Sequence, residues 1–456
     1  MILWAKNNNN MAVLSKIKQL LERIPGYDAL MKPIHVLRSF TAAETNDFPA
    51  SDMKVIGVTG TDGKTTTTTM IYNVLLAAGK KAGMMSTVGI SYNGKNKANE
   101  GHQLTTPDPA QLNKNIAEMR DAGVKYLVLE TSSHAISQSR AIGVPYDIAV
   151  MTNVSHEHLD YYKTYNNYRD TKRKLFKIAN RNRFGHRIGI INADDKAAKF
   201  FKRDIKYPIT YGLEKGDVKA TQIKYFDDGS EFYAKYQGSK LHIRTSIAGR
   251  FNVYNALAAS LVGLSLGIEI KDIEAGIKNT KDIDGRWNEI KEGQNFKFVI
   301  DYAHTPNAFE QLFSYYKPVA KGRIIAVFGA AGGRRDASKR PKMGKVAGEY
   351  ADIIILTEEE NRETPPMEII GQLASGAKQA GKVEGKDLFI REERDKAIAL
   401  AIALAKPGDT IFALGKGNET VLIRGTENIY WSESGTSKKL IKEFLKDKEA
   451  FRKKYL

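Results

Sequence analysis

Residues 55–69 read VIGVTGTDGKTTTTT. An apolar run ends at Thr59, and Gly60, Thr61, Asp62, Gly63, Lys64, Thr65 and Thr66 lead into a helix-compatible stretch. Glycines let backbone N–H groups approach anionic oxygens. The start of a helix adds unpaired donors and the positive end of its dipole. Lys64 supplies a cation for phosphate, and the Thr65 hydroxyl suits Mg2+. The loop is shorter than the GxxxxGK[ST] nucleotide pattern, because Val58 stands where the first glycine would be. A glycine turn followed by a solvated lysine is the plain alternative. It leaves the order strand, glycines, Lys, Thr, helix unexplained.

Four further groups are candidates. Glu130 ends the apolar run YLVLE, and a carboxylate at the end of a parallel strand can hold Mg2+. A salt-bridged or capping glutamate is the other reading. His158 lies in NVSHEHLDY; by residue type alone it is a solvated histidine, since Mg2+ prefers oxygen. Lys172, in YRDTKRKLF, reads as one exposed lysine in a basic run. Asn252 and Asn255 in GRFNVYN carry amides that can donate and accept, or cap a helix.

The elements around them alternate. Short apolar runs at 54–59, 126–130, 148–152 and 188–191 are separated by helix-compatible segments, the first at 66–78. This predicts a parallel sheet with helices on its faces. Residues 209–246 read as shorter alternating strands with turns at 227–229 and 237–238, a β-rich appendage, and 253–266 as a helix. A second α/β unit begins near Gly285, with strands at 296–301, 323–328, 352–357, 387–390 and 410–414 and a Lys-rich helical tail at 437–456. Ahead of all this, 14–24 has apolar residues at helical spacing, and 34–50 reads as a proline-containing connection.

Composition narrows the classes. The chain has 456 residues, 42% hydrophobic and 27% charged, the balance of a globular protein. No apolar run is long enough for a membrane span. Cysteine is absent, which excludes disulfides and thiolate metal sites and fits a reducing, cytoplasmic setting. The net charge of +18 fits nucleic acid, a solvated basic surface or polyanionic small molecules.

Taken in order, these motifs resemble the Mur ligase family, ATP-dependent amide-bond synthetases of cell-wall precursor assembly. The segments are TGTDGKTT, ETSSH at 130–134, NVSHEHLDY, the lysine at 172, GRFNVYN, Gly285-Arg286-Trp287, DYAHTPN from Asp301 to Asn307 and the glycine-rich VFGAAGGRRDASKRPKM. DYAHTPN points to the branch that adds the third amino acid of the peptide stem. The resemblance implies a short N-terminal segment (1–52), a central P-loop ATPase-like parallel-sheet domain (53–282) and a C-terminal Rossmann-like α/β domain (283–456). It implies ATP held by residues 60–66, Asn252 and Asn255 on the adenine side, Arg286 on the phosphates and Asp301. It also implies Mg2+ on Thr65, Glu130, His158 and a carbamylated Lys172, with Lys64, Glu130, His158 and Lys172 as the catalytic set.

By the same resemblance Thr105, Thr106, Ser132, Gln138 and Arg140 hold an acidic UDP-muramoyl-dipeptide acceptor. Arg335, Glu359, Glu360, Arg362, Gly415 and Glu419 hold the incoming amino acid. The family's D-N-P-R motif stands here as EENR (359–362) and its GKGHE as GKGNE (415–419). The diamino acid therefore stays open between meso-diaminopimelate and L-lysine. Members usually carry a uridine-nucleotide domain ahead of the ATP loop, where this chain has about 50 residues. Either the central domain holds the acceptor, or the acceptor differs. The expected reaction passes through an acyl phosphate, with domain closure on ATP, in a cytoplasmic, monomeric enzyme whose partners are small molecules and not nucleic acid. The alternatives are a folylpolyglutamate- or cyanophycin-type ligase of the same superfamily and a non-catalytic nucleotide-binding protein.

Overall fold

The computed structural model describes residues 27–97, 104–155, 157, 159–281, 283–333 and 336–456. The helical pattern expected at 14–24 lies outside them. Among the described residues, twenty strands in chain order build four sheets. β1 (Lys54–Thr59), β2 (Ala82–Ser86), β3 (Gly89–Tyr92), β4 (Lys95–Lys97), β5 (Tyr126–Glu130), β6 (Tyr146–Met151), β7 (Ile188–Asn192), β8 (Tyr207–Gly212) and β9 (Val218–Lys219) form the largest. Their order is β4-β3-β2-β5-β1-β6-β7-β8-β9. All neighbours from β2 to β9 are parallel, and β3 and β4 add an antiparallel edge.

The reason lies in alternation. Side chains of β1 point to opposite faces in turn. Val55, with Leu127 and Leu129 of β5, joins one buried cluster; Ile56 and Val58, with Val128, join another. The helices Lys64–Ala77 and Arg250–Ser265 cover the second face, and Pro109–Asp121 and Tyr165–Arg181 the first. Burial on both faces is what near-continuous apolar strands require.

β10 (Thr221–Phe226), β11 (Gly229–Tyr236) and β12 (Ser239–Thr245) form the antiparallel appendage. The expected appendage began too early: β8 and β9 belong to the large sheet, where Ile209 pairs with Ile190. Their short apolar runs fit a parallel edge as well as a hairpin. β13 (Asn288–Glu289), β14 (Lys297–Asp301), β15 (Ile324–Phe328), β16 (Ile353–Leu356), β17 (Leu388–Ile390) and β18 (Thr410–Leu414) form a six-stranded sheet of order β13-β14-β18-β15-β16-β17. β19 (Val421–Arg424) and β20 (Glu427–Tyr430) make a hairpin. The tail folds as two helices, Glu433–Lys446 and Lys448–Tyr455. The proline-containing connection expected at 34–50 is largely a helix, Tyr27–Thr45, with Pro33 inside it.

The units touch at several points. Tyr315 Oη donates to Gly229 O at 3.1 Å, tying the appendage to the second sheet. Asn418 Nδ2 donates to Thr87 O at 3.4 Å, and Lys339 Nζ lies 3.9 Å from Glu157. Within the second sheet, Arg394 pairs with Glu433 at 2.7 Å with both side chains fully buried. Arg394 Nη2 also donates to Leu414 O at 2.8 Å, fixing the end of β18. Removing one partner leaves an uncompensated buried charge, so Arg394→Ala is expected to destabilise the protein by about 3–5 kcal/mol in denaturant unfolding.

Candidate functional site

β1 is flanked by β5 and β6, and all three run the same way. Their carboxyl ends therefore meet at one edge. The ladder continues past them: Thr131 N–H donates to Val58 O (2.8 Å), Thr152 N–H to Thr59 O (3.0 Å) and Thr61 N–H to Asn153 O (2.9 Å). Gly63 follows with φ 79°, and a Cβ there would lie 2.4 Å from Asn255 Oδ1. Only glycine fits that turn. The helix Lys64–Ala77 then begins on the loop, one residue pair earlier than the sequence pattern suggested.

The side chains around this loop hold one another. Lys64 Nζ donates to Thr61 O at 2.7 Å. Glu130 is buried and accepts from Thr65 Oγ1 (3.0 Å) and Thr87 N–H (2.9 Å). Lys172 is buried, not exposed as its basic run suggested, and its Nζ donates to Gly60 O at 2.6 Å. Burial, and then Lys64, pull its ammonium well below the ordinary range. Burial raises the Asp62 carboxyl, against the pull of Lys64, a hydrogen bond from Asn307 and the charge of Arg286. Thr65 and Glu130 together offer a hydroxyl and a carboxylate, hard oxygen donors that fit Mg2+. Among the described residues no three His, Asp or Glu side chains gather as a metal set. His158 lies outside those residues.

These groups line a cleft of about 2270 Å³. Thr61, Asp62, Gly63, Lys64, Thr65 and Thr66 face it, as do Thr105, Ser132, Gln138 and Arg140. Thr106 is buried behind them, its hydroxyl donating to Glu130 O at 2.8 Å. Arg140 does not offer a free fork: Nη1 donates to Thr106 O (2.7 Å) and Nη2 to Gln138 Oε1 (2.7 Å).

The C-terminal wall carries Arg286, Asp301, Glu359, Glu360, Arg362 and Glu419. Arg286 stacks 4.2 Å over the Tyr302 ring. Asp301 accepts from Trp287 N–H and Ala303 N–H, both at 2.8 Å, so it shapes the turn that presents Arg286. Lys416 is fully buried between Glu419 (2.6 Å) and Glu360 (3.4 Å), and Glu360 also receives Arg362 at 3.1 Å. Burial raises the carboxyls of Glu359 and Glu419. Gly415, at φ 100°, has no room for a Cβ beside Glu359 Oε2; its part is conformational. Arg335 lies outside the described residues.

Asn252 and Asn255 also line the cleft, beside the loop. Asn252 and Asn255 are 0% and 3% exposed. Asn252 Nδ2 donates to Ala248 O (2.7 Å), Asn255 Nδ2 to Asn252 Oδ1 (2.9 Å), and Thr67 Oγ1 to Asn255 Oδ1 (3.1 Å). These bonds tie both asparagines to the loop helix. Thr87, Asn153, Asn307 and Lys416 were missed because each has a partner far away in sequence: Glu130 for Thr87, Asp62 for Asn153 and Asn307, and Glu360 for Lys416. Asn153, Asn307 and Lys416 sat in quoted motifs. Asn255→Ala is expected to weaken nucleotide binding by roughly fivefold to tenfold, about one hydrogen bond, in equilibrium titrations.

Comparison with known proteins agrees with this architecture. The Mur ligase middle domain matches residues 58–263, and the Mur ligase glutamate ligase domain 285–417. A UDP-N-acetylmuramyl-tripeptide synthetase of Roseiflexus is 36% identical over 433 residues, 92% of this chain and 83% of the relative. A UDP-N-acetylmuramoyl-L-alanyl-D-glutamate–2,6-diaminopimelate ligase of Geobacillus kaustophilus is 37% identical over 87% of this chain and 80% of its own length. A solved diaminopimelate ligase of the same designation superposes with TM-score 0.62 at 26% identity, covering 91% of this chain and 83% of that one. A folylpolyglutamate synthase of Mycobacterium tuberculosis shares the fold, with TM-score 0.67 at 16% identity over 89% and 96% of the two chains. The chain belongs to the Mur ligase family of ATP-dependent amide-bond-forming ligases.

Proposed function

We propose that this enzyme joins a diamino acid, meso-diaminopimelate or L-lysine, to UDP-N-acetylmuramoyl-L-alanyl-D-glutamate in peptidoglycan precursor synthesis. The observation that carries this reading is the single cleft with the phosphate loop on one wall and Arg286, Glu359, Glu360, Arg362 and Glu419 on the other. Relatives at 36–38% identity bear the names of that reaction.

An oxygen of the acceptor carboxylate attacks the γ-phosphorus of ATP, the bond to the β-phosphate oxygen breaks and ADP leaves. The amine nitrogen of the diamino acid then attacks the acyl carbon, phosphate leaves, and the nitrogen loses a proton. Positioning and charge neutralisation dominate such transfers. Lys64 and Arg286 neutralise phosphate charge from opposite walls. Thr65 and Glu130 would hold Mg2+, joined by His158 and by Lys172 as its carbamate, and the ion would offset phosphate charge. Thr105, Ser132, Gln138 and Arg140 orient the acceptor peptide. The division at 53–282 and 283–456 puts the two walls on separate domains that close on ATP.

No helix among the described residues is long and apolar enough to cross a membrane. We place the enzyme in the cytoplasm as a monomer acting on small molecules, not nucleic acid. The test is mass analysis of the product from ATP, acceptor and a mixture of diamino acids. The expected result is the acceptor plus one diamino-acid residue with one phosphate released. No phosphate release with any diamino acid overturns the proposal. Lys64→Ala is expected to lower turnover at least ~100-fold.

A further inference from the structure

The cleft uses few of the chain's 70 lysines and arginines, and one edge of the large sheet collects several of the others. The strands β2, β5, β1, β6, β7 and β8 lie side by side and run the same way, so their amino ends share the edge opposite the phosphate loop. All but β6 begin on a basic residue. Lys81 stands just before β2, Lys125 before β5, Lys54 opens β1, and Arg187 and Lys206 precede β7 and β8. Backbone bonds hold the row in register: Lys125 N–H donates to Lys81 O and Lys54 N–H to Lys125 O, both at 2.8 Å, and Tyr207 N–H to Arg187 O at 3.2 Å. The row spans about 24 Å, five strand spacings. Lys81, Lys125 and Lys206 are exposed, and the Lys54 side chain is 44% exposed.

The same edge carries an apolar point. The helix Tyr165–Arg181 ends there, and residues 182–185 form a turn closed by Gly185 N–H on Asn182 O at 3.1 Å. Asn182 Nδ2 pins the base of the turn to the start of β6, donating to Pro145 O (3.1 Å) and Tyr146 O (3.2 Å). Arg183 and Phe184 are thereby its tip, and Phe184 is 99% exposed. Arg181 and Arg183 are exposed beside it. Tyr207, the first residue of β8, is 50% exposed, with Lys206 Nζ 4.8 Å over its ring. The acids of this edge are largely engaged. Asp147 and Asp204 have side chains 3% and 9% exposed and pair with Lys54 and Arg173. Asp52 and Asp121 are exposed, and Arg120 lies 3.2 Å from Asp121.

Cations at the start of a strand also offset the negative ends of the helices that lead into it. That accounts for the charge and not for Phe184. Single exposed apolar side chains are common on proteins. This ring, however, is held at the tip of a pinned turn, amid cations and near a half-exposed tyrosine. Basic residues attract anionic headgroups, and an aromatic side chain among them buries at the boundary below. A platform for stacked bases needs rings lying along the surface, whereas Phe184 stands out from it, the form that enters a soft layer. We propose that this edge docks the enzyme on an anionic lipid membrane, with Lys54, Lys81, Lys125, Arg183 and Lys206 on the headgroups and Phe184 inserted at the edge of the acyl chains. The cleft lies at the carboxyl ends of the same strands, so a docked enzyme keeps it open to small molecules.

The test is cosedimentation of the full chain with vesicles of phosphatidylcholine alone and of phosphatidylcholine mixed equally with phosphatidylglycerol, at low and high salt. Binding is expected to the anionic vesicles only and to fall with salt. Phe184→Ser is expected to weaken it by roughly tenfold at unchanged charge, and Phe184→Leu to keep most of it. Lys81→Ser combined with Lys125→Ser should weaken it at least as much as Phe184→Ser. Lys438→Ser combined with Lys439→Ser, two exposed positions on the C-terminal tail, should leave it unchanged. Phe184→Ser should melt with the parent, since the ring is exposed. No binding to anionic vesicles, equal binding to neutral ones, parent-level binding by Phe184→Ser, or an equal loss in the tail variant overturns the docking surface. If Phe184→Ser melts lower, loss of binding in a normally melting Phe184→Leu overturns it as well. Retention on a single-stranded oligonucleotide that depends on Phe184, without vesicle binding, overturns it in favour of nucleic acid.

Discussion

The parallel register of β1 between β5 and β6 is the constraint on which the rest of the site depends. Val58 pairs with Glu130 and Thr59 with Met151. Because the three strands run together, they run out together, and their next residues are the phosphate loop, Thr131-Ser132 and Thr152-Asn153. Backbone bonds carry the ladder into the loop through Thr61 and Asn153. A one-residue slip would turn Glu130 from the loop to the opposite face of the sheet. The fixed edge is why Thr65, some 65 positions before Glu130, can share its carboxylate.

The cleft between that edge and the C-terminal wall concentrates charge where water is scarce. Burial disfavours ionised forms, and here it raises Asp62, Asp301, Glu359 and Glu419 while lowering Lys172. Opposite charges are set against each in turn: Lys64 on Asp62, Arg286 on Asp301, Lys416 on Glu419. Such networks cost stability unless every partner is present. Asp62 Oδ2 and Glu359 Oε2 remain buried without a hydrogen-bond partner. A bound ion or ligand is one way such atoms are satisfied. The +18 charge of the chain, in contrast, is mostly surface. Lys64, Arg140, Arg286 and Arg362 give the cleft its cations, and most of the other basic residues are solvated.

Strand placement was legible because buried parallel strands are continuous apolar runs: 54–59, 126–130 and 410–414 match β1, β5 and β18 residue for residue. β2 to β4 and β19–β20 were missed. Their segments, such as AGMMS and ENIY, hold too few β-branched or alternating residues to stand out. β8 and β9 were assigned to the wrong sheet, since a short strand's sequence does not reveal its neighbour. The helix at Tyr27–Thr45 was obscured by Pro33, which usually marks a boundary.

The sequence by itself determined the phosphate loop, the order of the α/β units and the family, because each rests on residues close together in the chain. Local spacing sets backbone conformation and periodicity directly. Only the tertiary structure decided how these residues are used. It buried Lys172 against Gly60, tied Asn255 to the loop helix through Thr67, engaged Arg140 within its own wall and brought Arg38 to the cleft. Burial and partner choice depend on segments tens to hundreds of residues away, and a side chain's chemistry follows its surroundings as much as its type.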